Sequence, residues 1–293
     1  SVYVLYEDRT DDKLWSANSV LNAGLSDNIS MNAAVNFKKL KSHNHQNLLD
    51  LMGGSYFSDI DPFFSGDATQ SDLNNPNRQV VEGDTYGYNY NLFATTFDGF
   101  TQFKFTYDKV DFYLAQTFSR TEYQREGLYK NEAYSDNSYG KGEKLSFSGI
   151  GAKAGFTYKL SGKHLFDFNA GYMTKAPDLR NTYSNSRENH NIVSDITEEK
   201  MSTVDASYIF RSPIVKAKLT GYYSKIEDAN EISFYYADGV GGDNTAFVQE
   251  ILQGIDKKQI GAEFGIEAQV TPTIKLKAAG SYGQYTYANN PNI

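Results

Sequence analysis

The chain has 293 residues, a formal net charge of −8 and a mean hydropathy of −0.56. Its acidic balance, with an isoelectric point near 5.1, argues against a nucleic-acid partner, because nucleic-acid-binding domains carry a basic stripe. The absence of cysteine excludes disulfides and thiolate metal sites. No apolar run approaches the roughly 18 residues of a membrane helix, a test that misses β-barrels because their strands alternate polar and apolar residues.

Alternating polar and apolar residues predict about eleven long strands, each with one apolar and one polar face. The clearest case is residues 259–270, where the pattern places Phe264 and Ile266 outward and Glu263 and Glu267 inward. In chain order, the predicted strands are residues 2–6, 15–25, 29–38, 88–107, 110–123, 145–160, 165–173, 201–210, 215–225, 259–270 and 274–285.

The connections between these strands alternate in length. Short segments rich in turn-forming residues fall at residues 26–28, 107–109, 161–163, 211–213 and 271–273. Long polar segments fall at residues 41–84, 127–143, 175–200 and 228–257. Short periplasmic turns at one rim and long extracellular loops at the other are typical of an outer-membrane barrel. The sequence therefore predicts an all-β, antiparallel transmembrane β-barrel whose apolar face meets outer-membrane lipid.

The strand count bears on how much of a barrel is present. An odd number of strands places the two chain ends at opposite rims, whereas bacterial single-chain barrels have even strand numbers. We therefore expect residues 1–293 to form part of one larger barrel domain. The first and last strands of such a part cannot pair with each other and leave open edges.

One segment resembles a known family. Residues 172–181 read Tyr-Met-Thr-Lys-Ala-Pro-Asp-Leu-Arg-Asn and lead from a strand into a long loop. They resemble the aromatic, basic, Ala-Pro segment of TonB-dependent outer-membrane receptors. Residues 181–189, followed by Glu-Glu-Lys at residues 198–200, are similar in style to the receptors of Bacteroidetes-type bacteria.

The resemblance implies a barrel of 22 strands closed by an N-terminal plug that lies outside residues 1–293. It implies a place in the outer membrane of a Gram-negative bacterium and uptake of a nutrient or metal complex, with energy supplied by TonB through the plug. A surface lipoprotein is a further candidate partner. The resemblance implies no enzyme activity and no cofactor.

Two alternatives stay open at this point. A plugless outer-membrane channel or adhesin would share the barrel and the compartment. A barrel hydrolase would need a histidine beside an acid or serine at the outer rim, and no spacing in this sequence singles one out. An upstream plug would favour the receptor, and a complete small barrel with a rim histidine and acid in contact would favour the hydrolase.

Ligand recognition is expected in the long loops, because loops on a rigid scaffold carry variable contacts. The candidates combine aromatic faces with hydrogen-bonding groups near one rim, and they are Tyr88, Tyr90, Arg187, Asn189, Tyr235 and Tyr236. For the tyrosines, an aromatic rim without ligand contact is the alternative.

Two groups of residues have side chains suited to metal ions. Asp59, Asp61 and Asp67 are weak candidates for calcium, which prefers oxygen ligands, although their spacing does not match the regular calcium loop. His43 and His45 would share one face of a strand, as a metal pair requires. A solvated loop is the alternative for both groups.

Three other features lie in the predicted loops and turns. Residues 47–54 predict a short helix, because Asn47 is a good N-cap and glycine ends the segment. His190 lies between two asparagines. It is a candidate for ligand contact, and a plain surface position is the alternative. His164 follows a short turn and is assigned no role.

Overall fold

The computed structural model describes residues 3–61, 64, 69–238 and 246–291, and this part of the chain is mostly β-strand. Within it the strands are β1 (Leu5–Ser26), β2 (Ile29–Asp50), β3 (Phe57–Ser58), β4 (Gln79–Val80), β5 (Thr85–Thr106), β6 (Val110–Gly127), β7 (Gly140–Lys159), β8 (His164–Lys175), β9 (Glu199–Arg211), β10 (Val215–Ala237), β11 (Ala246–Gln269) and β12 (Lys275–Tyr287). No helix among the described residues has the length and apolar composition needed to cross a membrane.

Ten of these strands form one antiparallel sheet in the order β1-β2-β5-β6-β7-β8-β9-β10-β11-β12. Strands β3 and β4 pair separately within the first long loop. In the described part of the chain, β1 and β12 stand at the two edges of the sheet and do not pair with each other. The predicted all-β, antiparallel partial barrel is confirmed.

One face of the sheet exposes large apolar side chains. The strand register sets Phe105 opposite Phe112, Phe112 opposite Phe156, and Phe156 opposite Phe168, so four neighbouring strands contribute to one aromatic row. The Phe105 and Phe112 rings stack with centroids 4.5 Å apart, and those of Phe156 and Phe168 lie 5.7 Å apart. Such a row suits the aromatic girdle of a lipid-facing surface.

The other face is polar and hydrogen-bonded across the strands. Asn36 Nδ2 donates to Asp98 Oδ2 over 2.7 Å, from β2 to β5. The Tyr113 hydroxyl donates to Asn169 Oδ1, whose Nδ2 donates to Asp205 Oδ1, and these bonds measure 3.0 Å each. Because strand residues alternate between faces, these bonds identify which residues of β2, β5, β6, β8 and β9 lie on the polar face.

The predicted alternation of connection length is confirmed. Residues 27–28, 107–109, 160–163, 212–214 and 270–274 turn the chain at one edge, called here the short-turn edge. The connections from β2 to β5, from β6 to β7, from β8 to β9 and from β10 to β11 leave and re-enter the sheet at the opposite, long-loop edge. The last of these connections is shorter than the predicted 228–257, because β10 and β11 continue well past the apolar part of the sheet.

The strand boundaries differ from the sequence prediction at the start of the chain. Residues 5–6 of the first predicted strand and all of the predicted strand 15–25 belong to the single strand β1, which pairs with β2 almost without interruption. The main sheet therefore has ten long strands, and β1 begins at the same long-loop edge where β12 ends. Residues 7–13 show no alternation, because this part of β1 is polar on both faces.

The predicted helix at residues 47–54 is wrong. Strand β2 continues to Asp50, and the chain then turns through Met52 and Gly53, which have φ values of 50° and 89°. Leu48 is fully buried against Tyr86, so tertiary packing outweighs the local helix signal.

Candidate ligand-binding rim

The long loops pack together at the long-loop edge around two apolar clusters. The first consists of Leu48, Leu51, Val80 and Tyr86, with Val4 and Phe57 against it. The second consists of Tyr90, Leu92 and Tyr183, with Tyr88, Leu145, Leu179 and Ile192 against it. Burying a side chain of this size stabilises by about 1.5–3 kcal/mol, so these clusters hold the loops in one arrangement.

Gly87 adjusts β5 where it enters this region. The β2–β5 register shifts between His45 and Gln46, and Gly87 lies in the shifted segment with a φ of 70°. A side chain at this position would also meet the Gln46 amide. Glycine therefore permits the bulge that separates the buried Tyr86 from Tyr88.

Arg125, near the end of β6, ties the loops to the sheet and is the largest fully buried side chain among the described residues. Its Nε donates to the Ser186 carbonyl over 2.7 Å, and its Nη1 donates to the Ser138 carbonyl over 2.9 Å. Nη1 also lies 2.9 Å from His190 Nδ1, and the guanidinium lies 5.3 Å from the Tyr90 ring centre. One cation thus joins β5, β6 and two loops.

Burial lowers the pKa of Arg125 to about 10, so the guanidinium is still charged at neutral pH. Burial, then the positive charge of Arg125, lowers the pKa of His190. A neutral His190 accepts at Nδ1, as the contact with Arg125 requires. His190 therefore serves inside the loop packing, and its Nε2 lies 3.4 Å from the Tyr139 carbonyl.

Tyr88, Arg187 and Asp8 form a polar and aromatic surface at the rim. The Arg187 guanidinium lies 4.6 Å from the Tyr88 ring centre, and its Nη2 is 3.4 Å from Asp8 Oδ2. The Tyr88 hydroxyl donates to Asp8 Oδ1 over 2.8 Å. Burial raises the pKa of Tyr88, so this hydroxyl keeps its proton at neutral pH.

Tyr90 and Asn189 support this surface from beneath. Tyr90 is buried, with its ring centre 5.9 Å from that of Tyr88, and its hydroxyl accepts from Ser186 Oγ over 3.3 Å. Asn189 is 2% exposed, and its Oδ1 accepts from the backbone of Asn191 over 2.9 Å. The structure thus brings Tyr88, Tyr90 and Arg187 into contact and places Asn189 within the same loop.

Glu188 lies beside Arg187 in the same loop. Burial, then the negative charge of Asp61, raises the pKa of Glu188 to about 7, against the opposing effects of Asn185 and Arg187. The loop therefore contains a carboxyl group that changes charge near neutral pH.

Tyr235 and Tyr236 lie on the upper part of β10 and are exposed. Being consecutive residues of a strand, they point to opposite faces. The Tyr235 hydroxyl lies 3.5 Å from Glu250 Oε1 on β11. A link from β11 to the central loop comes from Gln249, whose Nε2 donates to the Ser184 carbonyl.

Two of the three acidic candidates of the first loop have protein partners. Asp59 is 3% exposed, accepts from the Gly87 amide over 2.8 Å and lies 3.9 Å from Arg78. Asp61 Oδ2 lies 3.5 Å from Asn131 Nδ2. Asp67 falls outside the described residues.

The histidines at the top of β2 have a different environment. His43 and His45 stack with ring centroids 4.3 Å apart, and one ligand atom from each lies within 4.8 Å of an oxygen of Asp11. Among the described residues, Asp11, His43 and His45 form one cluster of three potential metal ligands. His164 lies at the short-turn edge, where its Nδ1 is 2.7 Å from the Tyr208 hydroxyl.

The amino-acid sequence carries no motif that marks Arg125 or Asp8 as functional. Arg125 lies on the same, lumen-facing side of β6 as Tyr123. In the sequence it is therefore recognisable only as a polar residue at the end of a predicted strand. Its acceptors belong to distant loop segments, and no spacing rule connects them.

The loop-covered sheet has a fold similar to part of several solved metal-transporter structures. The copper transporter OprC superimposes with a TM-score of 0.69 at 12% identity, over 98% of this chain and 39% of OprC. The iron transporter FrpB from Neisseria meningitidis gives a TM-score of 0.61 at 11% identity, over 96% of this chain and 36% of FrpB.

The ferric citrate transporter FecA gives a TM-score of 0.57 at 9% identity, over 96% of this chain and 37% of FecA. The chain therefore spans well under half the length of the structures it matches. At this level of identity the likeness shows the fold. The sequence itself matches no known protein family and no curated protein.

Proposed function

We propose that this chain is part of a TonB-dependent receptor of the Gram-negative outer membrane, which takes up a nutrient or metal complex. The observation that carries the proposal is a ten-stranded sheet with one apolar, exposed face and with packed loops at one edge. Similar folds in transporters of copper, iron and ferric citrate support a metal complex as cargo. The proposal includes no catalytic step.

In this proposal the apolar face meets lipid, the short-turn edge faces the periplasm, and the long-loop edge faces the outside. Residues 1–293 are part of one barrel domain of 22 strands, and TonB acts through a plug that lies outside these residues. The resemblance of residues 172–189 supports a Bacteroidetes-type receptor, for which a surface lipoprotein is the expected additional partner.

The ligand contacts in this proposal lie on the exposed part of the rim. Tyr88 offers a ring face, Arg187 offers guanidinium donors, and Asp8 holds both in place. Tyr235 and Tyr236 contribute further exposed aromatic surface on β10. Tyr90 and Asn189, being buried, position this surface from within the loop packing.

Uptake in cells tests the transport proposal. The protein that carries this chain is expressed in an outer membrane, and accumulation of ⁵⁵Fe supplied as ferric citrate and of ⁶⁴Cu is measured with and without TonB. We expect accumulation of at least one metal to require both the protein and TonB. Accumulation that persists without TonB would instead support a diffusion channel.

Binding by variants tests the rim. We expect Tyr88→Ala and Arg187→Ala each to weaken binding of the transported metal complex by about 1–3 kcal/mol, as removal of an anchor does. Tyr107→Ala is the matched control, because Tyr107 is an exposed tyrosine at the short-turn edge. Equal affinity of all three variants and the unsubstituted protein would refute the rim as the contact surface.

A further inference from the structure

The cluster of Asp11, His43 and His45 is not used by the proposed transport function. The register of β1 and β2, which is continuous from Tyr6 to Gly24, sets Asp11 directly opposite His43, and His45 lies two residues further along the same face. One potential ligand atom from each residue lies within 4.8 Å of the other two. The ligands of a tetrahedral ion with bonds of about 2.0–2.1 Å lie roughly 3.3 Å apart, so small side-chain rotations suffice to bring them together.

Both imidazoles have a ring nitrogen that is free to bind a metal. His43 Nε2 lies 2.7 Å from Asn89 Oδ1, and an amide oxygen only accepts, so Nε2 carries the proton and Nδ1 has a free lone pair. A second hydrogen bond of this kind orients metal-binding histidines. His45 is 6% exposed, and its Nδ1 is buried without a hydrogen-bond partner.

A neighbouring amide also lacks a partner. Asn91 lies directly opposite His43 on β5, and its buried Oδ1 accepts no hydrogen bond. Buried polar atoms without partners cost free energy, and an ion at this position would satisfy them. The Asn91 Nδ2 donates to Glu126 Oε2 on β6 over 2.9 Å, so this amide is a neighbour of the cluster and is not counted among its ligands.

The cluster lies on the outer side of the sheet. In the β1–β2 register, Asp11 and His43 share their face with Ala17 and Phe37, which belong to the exposed apolar surface. His43 is six residues beyond Phe37, which corresponds to roughly 20 Å along the strand. The cluster therefore lies beyond the apolar surface, on the opposite face from Tyr88 and the lumen.

The geometry points to a binding site for one divalent first-row transition ion, held by His43, His45 and Asp11 at the long-loop edge. Two imidazoles and one carboxylate suit Zn²⁺, Cu²⁺ or Ni²⁺, whereas Mg²⁺ and Ca²⁺ prefer an all-oxygen set. The bound ion joins β1 to β2. Because it faces away from the lumen, it is a resident ion and not transported cargo.

Arg9 sets a limit on the affinity of this site. Its Nε lies 3.1 Å from both carboxylate oxygens of Asp11, and it faces His45 across the strands. A bound cation must share Asp11 with this guanidinium. Replacing Arg9 by glutamine is therefore expected to tighten metal binding.

Zn²⁺ binding tests the inference. The protein that carries this chain is purified in detergent, stripped with a chelator and titrated with Zn²⁺ in a calorimeter, and Co²⁺ absorption reports the ligand geometry. We expect one site that Ca²⁺ does not fill. We expect His43→Gln, His45→Gln and Asp11→Asn each to weaken it at least about tenfold, as loss of metal-site partners does.

Two control variants complete the test. His164→Gln, at the short-turn edge, should leave Zn²⁺ binding unchanged, and Arg9→Gln should strengthen it. Because Asp11 is exposed, Asp11→Asn should fold even if His45→Gln does not. The inference is overturned if the unsubstituted protein binds no Zn²⁺, or if Asp11→Asn and His43→Gln bind it as tightly as the His164→Gln control.

Discussion

Replacing Arg125 by methionine should loosen the two loops that this residue joins. Methionine has a similar length but donates no hydrogen bond. The carbonyls of the buried Ser138 and the partly buried Ser186 would then lose their donor, and the contact with His190 would also be lost. The strands below these loops should not change, because Arg125 makes these bonds to loop residues.

The size of the effect follows from these contacts. Each carbonyl that loses its donor costs about 1–3 kcal/mol, which gives about 2–6 kcal/mol for the two. Removing a buried charge relieves a desolvation penalty and offsets part of this cost. We expect a net loss of about 2–4 kcal/mol in the free energy of local opening, which at 1.36 kcal/mol per factor of ten is roughly a 30- to 1,000-fold faster amide exchange.

Hydrogen exchange read by mass spectrometry measures this change. The informative amides are those of Ser184, His190 and Val193, which bond to carbonyls within the same two loops. Arg120→Met is the matched control, since Arg120 lies on the same strand but is exposed. Unchanged exchange in Arg125→Met, or an equal increase in Arg120→Met, would refute the role of Arg125.

Three further predictions concern the loops and the apolar face. Glu188, whose pKa burial raises to about 7, favours the folded loop when protonated; this contribution is complete below about pH 4.5 and is lost as pH rises through 7. Limited proteolysis at pH 5 and pH 8 should therefore show faster loop cleavage at the higher pH, and Glu188→Gln should reduce the difference. Gly127→Ala would drive a methyl group into a loop carbonyl and lower the thermal midpoint, whereas Gly162→Ala meets nothing and should not. Phe264→Lys should destabilise the lipid-inserted protein by about 2–4 kcal/mol, judged by heat-modifiable gel mobility, while Glu263→Lys on the opposite face should not; equal effects of the two lysines would contradict the lipid-facing assignment.

The sheet was predictable where one face is apolar. Phe264 and Ile266 alternate with Glu263 and Glu267, and β11 contains all four in one register with β10 and β12. The pattern disappears where both faces are polar. The sequence of the upper half of β2, residues 39–50, consequently predicts a loop, although this segment pairs with both neighbours nearly to its end.

The rim was predictable in part. Tyr88, Tyr90 and Arg187 were selected for their chemistry and proximity to one edge, and they do lie in contact. The acceptors of Arg125 could not be predicted, because Ser186 is 61 residues away in a loop with no periodic pattern. Asp8 was missed for a similar reason, since its contact with Arg187 spans 179 residues.

The polar upper half of the strands also determines what can reach the rim. From Phe37 to the end of β2 there are thirteen residues, or roughly 43 Å of strand, which at a tilt of about 45° is a height of about 30 Å. In the proposed receptor the strands therefore extend well beyond the lipid on the outer side of the membrane. Antibodies and other large molecules outside the cell can contact the rim without approaching the membrane. A small nutrient that passes the rim must still cross a long polar part of the lumen before it reaches the level of the lipid.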